Sequence, residues 1–177
     1  MRRSLNFLYD AAGYLAAFFV LAIFVVMVGS SAMRELGFRT GGSDDLVAWF
    51  CAASAFLGMA HTFKRGDFVR VGLLLENLGP RPRHVFEIIS LSIATTFVGY
   101  LAFWACKFTY ESWLFHDMSN GLIVVSLWVP QMSFVVGAIL LLVAVLDELV
   151  TVLRGNRPGY VLAVEERHAR GDFTEDV

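Results

Sequence analysis

Charge is missing from four long stretches of this sequence. Ala11–Met33, Leu46–Phe63, Ile88–Cys106 and Met118–Leu146 hold no Asp, Glu, Lys or Arg, and together they take up about half of the 177 residues. That absence removes most readings as a soluble enzyme. Cysteine is scarce as well. Cys51 and Cys106 both fall inside the uncharged runs and form no Cys-x-x-Cys pair, which argues against a thiol redox centre and for small apolar fillers. Histidine is absent from the middle of every run. His61 is near one end, His84 and His116 lie at or beyond run ends, and His168 is in the C-terminal tail, so axial ligands for a membrane haem are lacking. No nucleophile-and-base constellation and no metal-ligand cluster can be picked out. The expectation is a chain that is not an enzyme, with no catalytic, cofactor-binding or metal residues, no cofactor and no nucleic-acid partner.

What is present is length in the apolar runs. A helix crosses a bilayer with roughly 20 apolar residues, about 17–25 being usual, and each run is long enough. The apolar fraction of 57% exceeds the roughly 45–50% of soluble chains. The fold class is therefore an all-α integral membrane protein, residues 1–177 forming a single four-span domain. The spans are placed at about 11–33, 46–63, 86–106 and 127–150, with a charged tail at 154–177. Ser43 is in position to cap span two, and Asp44 and Asp45 in its first turn complement the helix dipole. Span four starts near Trp128 and Pro130, since a first turn tolerates proline. It runs to about Leu153, where Gly155 and Pro158 stop it. Arg2 and Arg3 ahead of an apolar run resemble the start of a secretory signal. However, the 23-residue uncharged run exceeds the roughly 7–15 of a signal core, so an uncleaved first span is expected.

Between spans two and three, Phe68, Val71, Leu74, Leu75 and Leu78 fall on one helical face. The segment is too short to span and reads as an interfacial helix. Each span also carries two small residues four positions apart: Gly13 and Ala17, Ser54 and Gly58, Thr95 and Gly99, Ser133 and Gly137. Such pairs let helix backbones approach closely in lipid.

The 14 basic residues set the orientation. Eleven fall on one side: Arg2, Arg3, Lys64, Arg65, Arg70, Arg81, Arg83, Arg154, Arg157, Arg167 and Arg170. Arg34, Arg39 and Lys107 are the three on the other. Basic residues near span ends stay in the cytoplasm, which places both termini there. Trp49, Trp104, Trp113 and Trp128 then all lie at the outer interface, the layer that indole rings favour. The duplicated Arg-Gly-Asp (65–67 and 170–172) falls on the cytoplasmic side, where an adhesion role has no use for it.

No ionisable residue is placed near the middle of a span, where transporters and pumps keep theirs, and no broken, repeated helices build a midplane site. The chain therefore reads as a subunit. Asp44-Asp45-Leu46 opens span two and Phe56-Leu57-Gly58 follows within it. Then come Arg65-Gly66-Asp67-Phe68-Val69-Arg70-Val71 and Leu73-Leu74, and later Leu127-Trp128-Val129-Pro130 with Gly137. In order and spacing, from about Arg34 to Leu146, this resembles the small membrane subunit, DctQ type, of tripartite ATP-independent periplasmic (TRAP) transporters. Two positions depart from that pattern: Phe68 stands where the family usually has His, and Gly72 where it usually has Asp.

The resemblance implies a non-catalytic scaffold in the bacterial inner membrane. Its partners would be a large membrane subunit (DctM type), a periplasmic solute-binding protein (DctP type) and membrane lipid. The activity would be sodium-coupled uptake of an organic acid. Arg34, Glu35, Arg39, Asp44 and Asp45 would then form a periplasmic docking loop, unless the acidic pair simply caps span two. The competing readings are an anchor subunit of a redox complex and a stand-alone tetraspan channel or transporter.

Overall fold

The computed structural model describes residues 2–38, 40–65, 80–155, 159 and 161, with side chains from residue 5 in the first helix and from residue 84 in the third. Four helices account for most of them: α1 Arg2–Glu35, α2 Ser43–Arg65, α3 Pro80–Leu114 and α4 Trp128–Leu153. All four are long and apolar enough to cross a membrane. Among the described residues the extended structure is one isolated bridge, Met118 to Ser126. The interfacial helix expected at Phe68–Leu78 lies outside the described residues.

Helix ends follow the backbone's need to satisfy its terminal amides and carbonyls. Ser43 opens α2 as a helical residue, and its hydroxyl turns back to the Thr40 carbonyl at 3.5 Å instead of capping an amide. The Leu46 N–H reaches the Gly42 carbonyl, so the helix is entered through Gly42. Asp44 and Asp45 occupy the first turn, as expected. Pro130 sits in the first turn of α4. That helix stops where Gly155 takes a left-handed conformation (φ 76°), which glycine enters without the Cβ clash other residues meet. At the far end of α3, His116 adopts the same region (φ 56°), and the Asp117 N–H bonds back to the Ser112 carbonyl.

α1 has 34 residues and α3 has 35. At 1.5 Å per residue each is about 51–53 Å long, well beyond a hydrocarbon layer of about 30 Å. Both outrun the uncharged stretches. α1 takes in Asp10, and α3 continues two turns past Cys106 through Lys107 and Glu111 to Leu114.

α1 packs on α2, α2 on α4, and α4 on α3. The neighbours at the centre, α2 and α4, are not consecutive in sequence and run parallel. Each outer helix runs antiparallel to the inner one it covers. α4 is the spine: 44% of its apolar window is buried inside the chain, against 17% for α2 and α3 and 11% for α1. Tyr9, Ala60 and Ala144 form a core where three helices converge near the end that carries the N-terminus, called here the terminal end. Leu91, Leu141, Val145 and Val152 form a second core there. Ala102, Ala105, Val135 and Ala138 form a third toward the opposite, loop end. The small cores and the broad exposed apolar faces, such as Phe18, Phe24 and Val25 on α1 and Phe97 and Phe103 on α3, belong to a chain whose remaining surface is solvated by lipid or covered by protein.

Candidate functional site

Four of the small residues sit at helix crossings. Gly137 lets α4 close on the backbone of α2: a Cβ there would run into the Phe56 carbonyl. Gly13 faces the His61 ring, with 2.7 Å left for a Cβ. Gly58 lies opposite Ala16 at 3.7 Å and Gly99 opposite Leu142 at 3.8 Å, ordinary contact distances. Their partners in the pairs behave differently. Ala17 is exposed. The Ser54, Thr95 and Ser133 hydroxyls donate to carbonyls of their own helices, at Cys51, Leu91 and Pro130. Glycine brings the helices together, while the hydroxyls are spent within one helix.

The terminal end holds a charged cluster that a search for uncharged runs passes over. Lys64, in the last turn of α2, donates to the Glu148 Oε1 at 2.7 Å and to the Asp147 Oδ2 at 2.9 Å, both on α4. Glu148 is only 1% exposed. Its second oxygen accepts the Gly159 N–H at 2.7 Å. The chain beyond α4 thus returns to the bundle, and Val161 packs against the Leu91 core. Tyr9 of α1 is 1% exposed, with its ring 6.0 Å from the Lys64 ammonium, and its hydroxyl has no hydrogen-bond partner among the described residues. Beside it the His61 Nδ1 lies 3.2 Å from the Tyr9 carbonyl and 3.5 Å from an Asp10 oxygen. Burying Glu148 is tolerable because both its oxygens are engaged, one by a cation. The arrangement fastens α1, α2, α4 and the returning chain at one point.

At the loop end, Asp45 reaches across to the α3–α4 connection. Its Oδ2 accepts the Leu122 N–H at 3.0 Å. Gly121 makes this possible, since a Cβ there would meet the Asp45 carboxylate. Ile123 closes on Gly42 in the same way. The connection is a short hairpin in which the Ser119 N–H bonds to the Val125 carbonyl and the Leu127 N–H to the Asp117 carbonyl. Of the charged residues in the first loop, Arg34 and Glu35 are exposed in the last turn of α1 and Asp44 is exposed on α2. Asp45 is committed to the hairpin, and Arg39 lies outside the described residues. On α3 the Lys107 ammonium stands 4.6 Å over the Trp104 ring and 3.8 Å from Glu111.

Both clusters lie at helix ends, and the apolar bodies between them face outward. A family model described as tripartite ATP-independent periplasmic transporters, DctQ component, matches residues 23–155. The chain belongs to the DctQ family. No curated protein matches it. The match covers α2, α3 and α4 entirely and the last 13 of the 34 residues of α1, so it contains both Asp45 with its hairpin and the Lys64–Asp147–Glu148 triad. This DctQ chain is a multi-pass membrane protein and the small membrane component of a TRAP transporter.

Proposed function

We propose that the chain is a non-catalytic scaffold of its transporter. In this reading it holds a large membrane subunit of the DctM type in the bacterial inner membrane while that subunit carries an organic acid inward with sodium. A periplasmic binding protein of the DctP type delivers the solute. The observation that carries the reading is the family match over three complete spans. Two features of the molecule support it. The helices are long, stapled at one end by an ion-paired cluster and broadly apolar on the outside, as suits a rigid body that offers surface to another membrane chain. The eleven-to-three distribution of basic residues supports cytoplasmic termini. With that orientation the triad faces the cytoplasm. Asp45, its hairpin and the exposed charges Arg34, Glu35 and Asp44 face the periplasm, where charges at the rim of a docking site would set on-rate and orientation.

The test uses the chain with Cys51 and Cys106 replaced by Ala. A membrane-impermeant maleimide applied to intact cells should label Thr40→Cys and Asn120→Cys and leave Pro80→Cys unlabelled. In the same cells the affinity-tagged chain should co-purify with a large, very apolar membrane protein. Labelling confined to Pro80→Cys would reverse the orientation, and purification of the chain without a membrane partner would remove the scaffold.

A further inference from the structure

The hairpin between α3 and α4 has a surface that the scaffold role leaves unused. Leu122 is 79% exposed, Phe115 72%, Val124 69% and Met118 51%. Four large apolar side chains on a 13-residue connection are costly to hold in water. Their position points to what covers them. Leu122 is bonded to Asp45, which stands four residues, or about 6 Å, above Trp49 on α2. The connection is flanked in sequence by the half-exposed Trp113 and Trp128, the indole belt of this end. Each polar layer of a bilayer is about 5–8 Å deep, so the hairpin stays within or beside the layer in which those rings sit.

Its backbone suits that layer as well. The pairs Ser119–Val125 and Asp117–Leu127 and the Asp45–Leu122 bond satisfy amides that would otherwise need water.

From these observations we infer that Asp45 seats an apolar hairpin in the lipid–water interface, where Phe115, Met118, Leu122 and Val124 lie against lipid at the level of the headgroups. Asp45 is a positioning residue: it fixes the hairpin on the head of α2, and the four side chains make the contact. The interaction is with a lipid surface, and the hairpin continues the exposed apolar sides of α3 and α4. It requires no transported solute and no particular reading of the transporter.

The full-length chain, with Cys51 and Cys106 replaced by Ala, tests this in phosphatidylcholine–phosphatidylglycerol liposomes. An environment-sensitive fluorophore is attached at Leu122→Cys or Val124→Cys, with Val136→Cys on the exposed side of α4 as the bilayer-interior reference. Seating in the interface predicts a blue-shifted emission. It also predicts several-fold stronger quenching by a nitroxide carried near the lipid headgroup than by aqueous iodide. Asp45→Ala should move the balance toward iodide, while Asp45→Asn, which keeps an acceptor oxygen, should hold it near the parent value. Quenching dominated by iodide in the parent would place the hairpin in water and overturn the inference. Shielding from both quenchers would mean that protein covers it, with the same consequence. An unchanged balance in Asp45→Ala would remove the seating role of the carboxylate.

Discussion

Replacing Lys64 with Met should lower the stability of this chain more than any other single change at the terminal end. The substitution keeps an unbranched side chain of similar length and removes the cation that, among the described residues, meets both Glu148, at 2.7 Å, and Asp147, at 2.9 Å. Glu148 is 1% exposed and then keeps, among the described residues, the Gly159 amide alone to offset its charge. Leaving a buried charge without its partner costs on the order of 3–5 kcal/mol. The 22% exposure of the Lys64 side chain and its place at a helix end put the value toward the lower limit. Thermal unfolding in detergent should show the loss. Lys64→Met combined with Glu148→Gln should recover part of it, because the buried charge goes with its partner. If Lys64→Met unfolds at the parental temperature, the triad does not hold α2 to α4.

The second large effect is expected at Gly137. Alanine there places its Cβ against the Phe56 carbonyl, and backbone cannot yield as a side-chain tip does. The parallel helices α2 and α4 must separate or slide, at a cost of about 1–3 kcal/mol typical of overpacking. Gly29 and Gly99 supply the contrast. Among the described residues nothing lies within 4 Å of a Cβ at Gly29, and Leu142 is 3.8 Å from one at Gly99. Alanine at these two sites should be neutral or gain up to about 1 kcal/mol from helix propensity. Unfolding temperatures of the three variants check the ranking. Equal behaviour of Gly137→Ala and Gly29→Ala would mean that α2 and α4 do not cross as closely as the structure has them.

The four helices were legible in the sequence because lipid imposes a length and a composition on any segment that crosses it. Pro130 and Gly155 marked the first turn and the end of α4 through ordinary backbone chemistry. The extent of α1 and α3 was not legible. A search for uncharged runs stops at the first charge, but a helix is held by its backbone and carries Asp10, Lys107 and Glu111 wherever their side chains reach water, headgroups or a partner. Lys107 does so over Trp104.

The triad was hidden for a different reason. Lys64 and Glu148 are 84 residues apart, and each looks like the ordinary charge that follows an apolar run. Only the parallel contact between α2 and α4, which skips α3, brings them together. Asp45 was singled out as a cap or a docking group. The structure shows a third use, on the Leu122 amide, whose only trace in the sequence is the glycine at 121. Gly13, Gly58, Gly99 and Gly137 were recognisable as close-packing positions by residue type, but residue type gave no ranking among them. The space left for a Cβ does, from Gly137 at the tightest to Gly99 with room to spare.

In the proposed role this DctQ chain supports transport without conducting. Uptake of solute into liposomes under an inward sodium gradient, with the cognate binding protein outside, tests it most directly when three preparations are compared: this chain alone, the large subunit alone, and the two together. Uptake is expected only by the pair, and it should be slower at limiting binding protein when Arg34 and Arg39 are changed to Glu. Sodium-dependent uptake by liposomes holding this polypeptide alone, or full activity of the large subunit without it, would contradict the account.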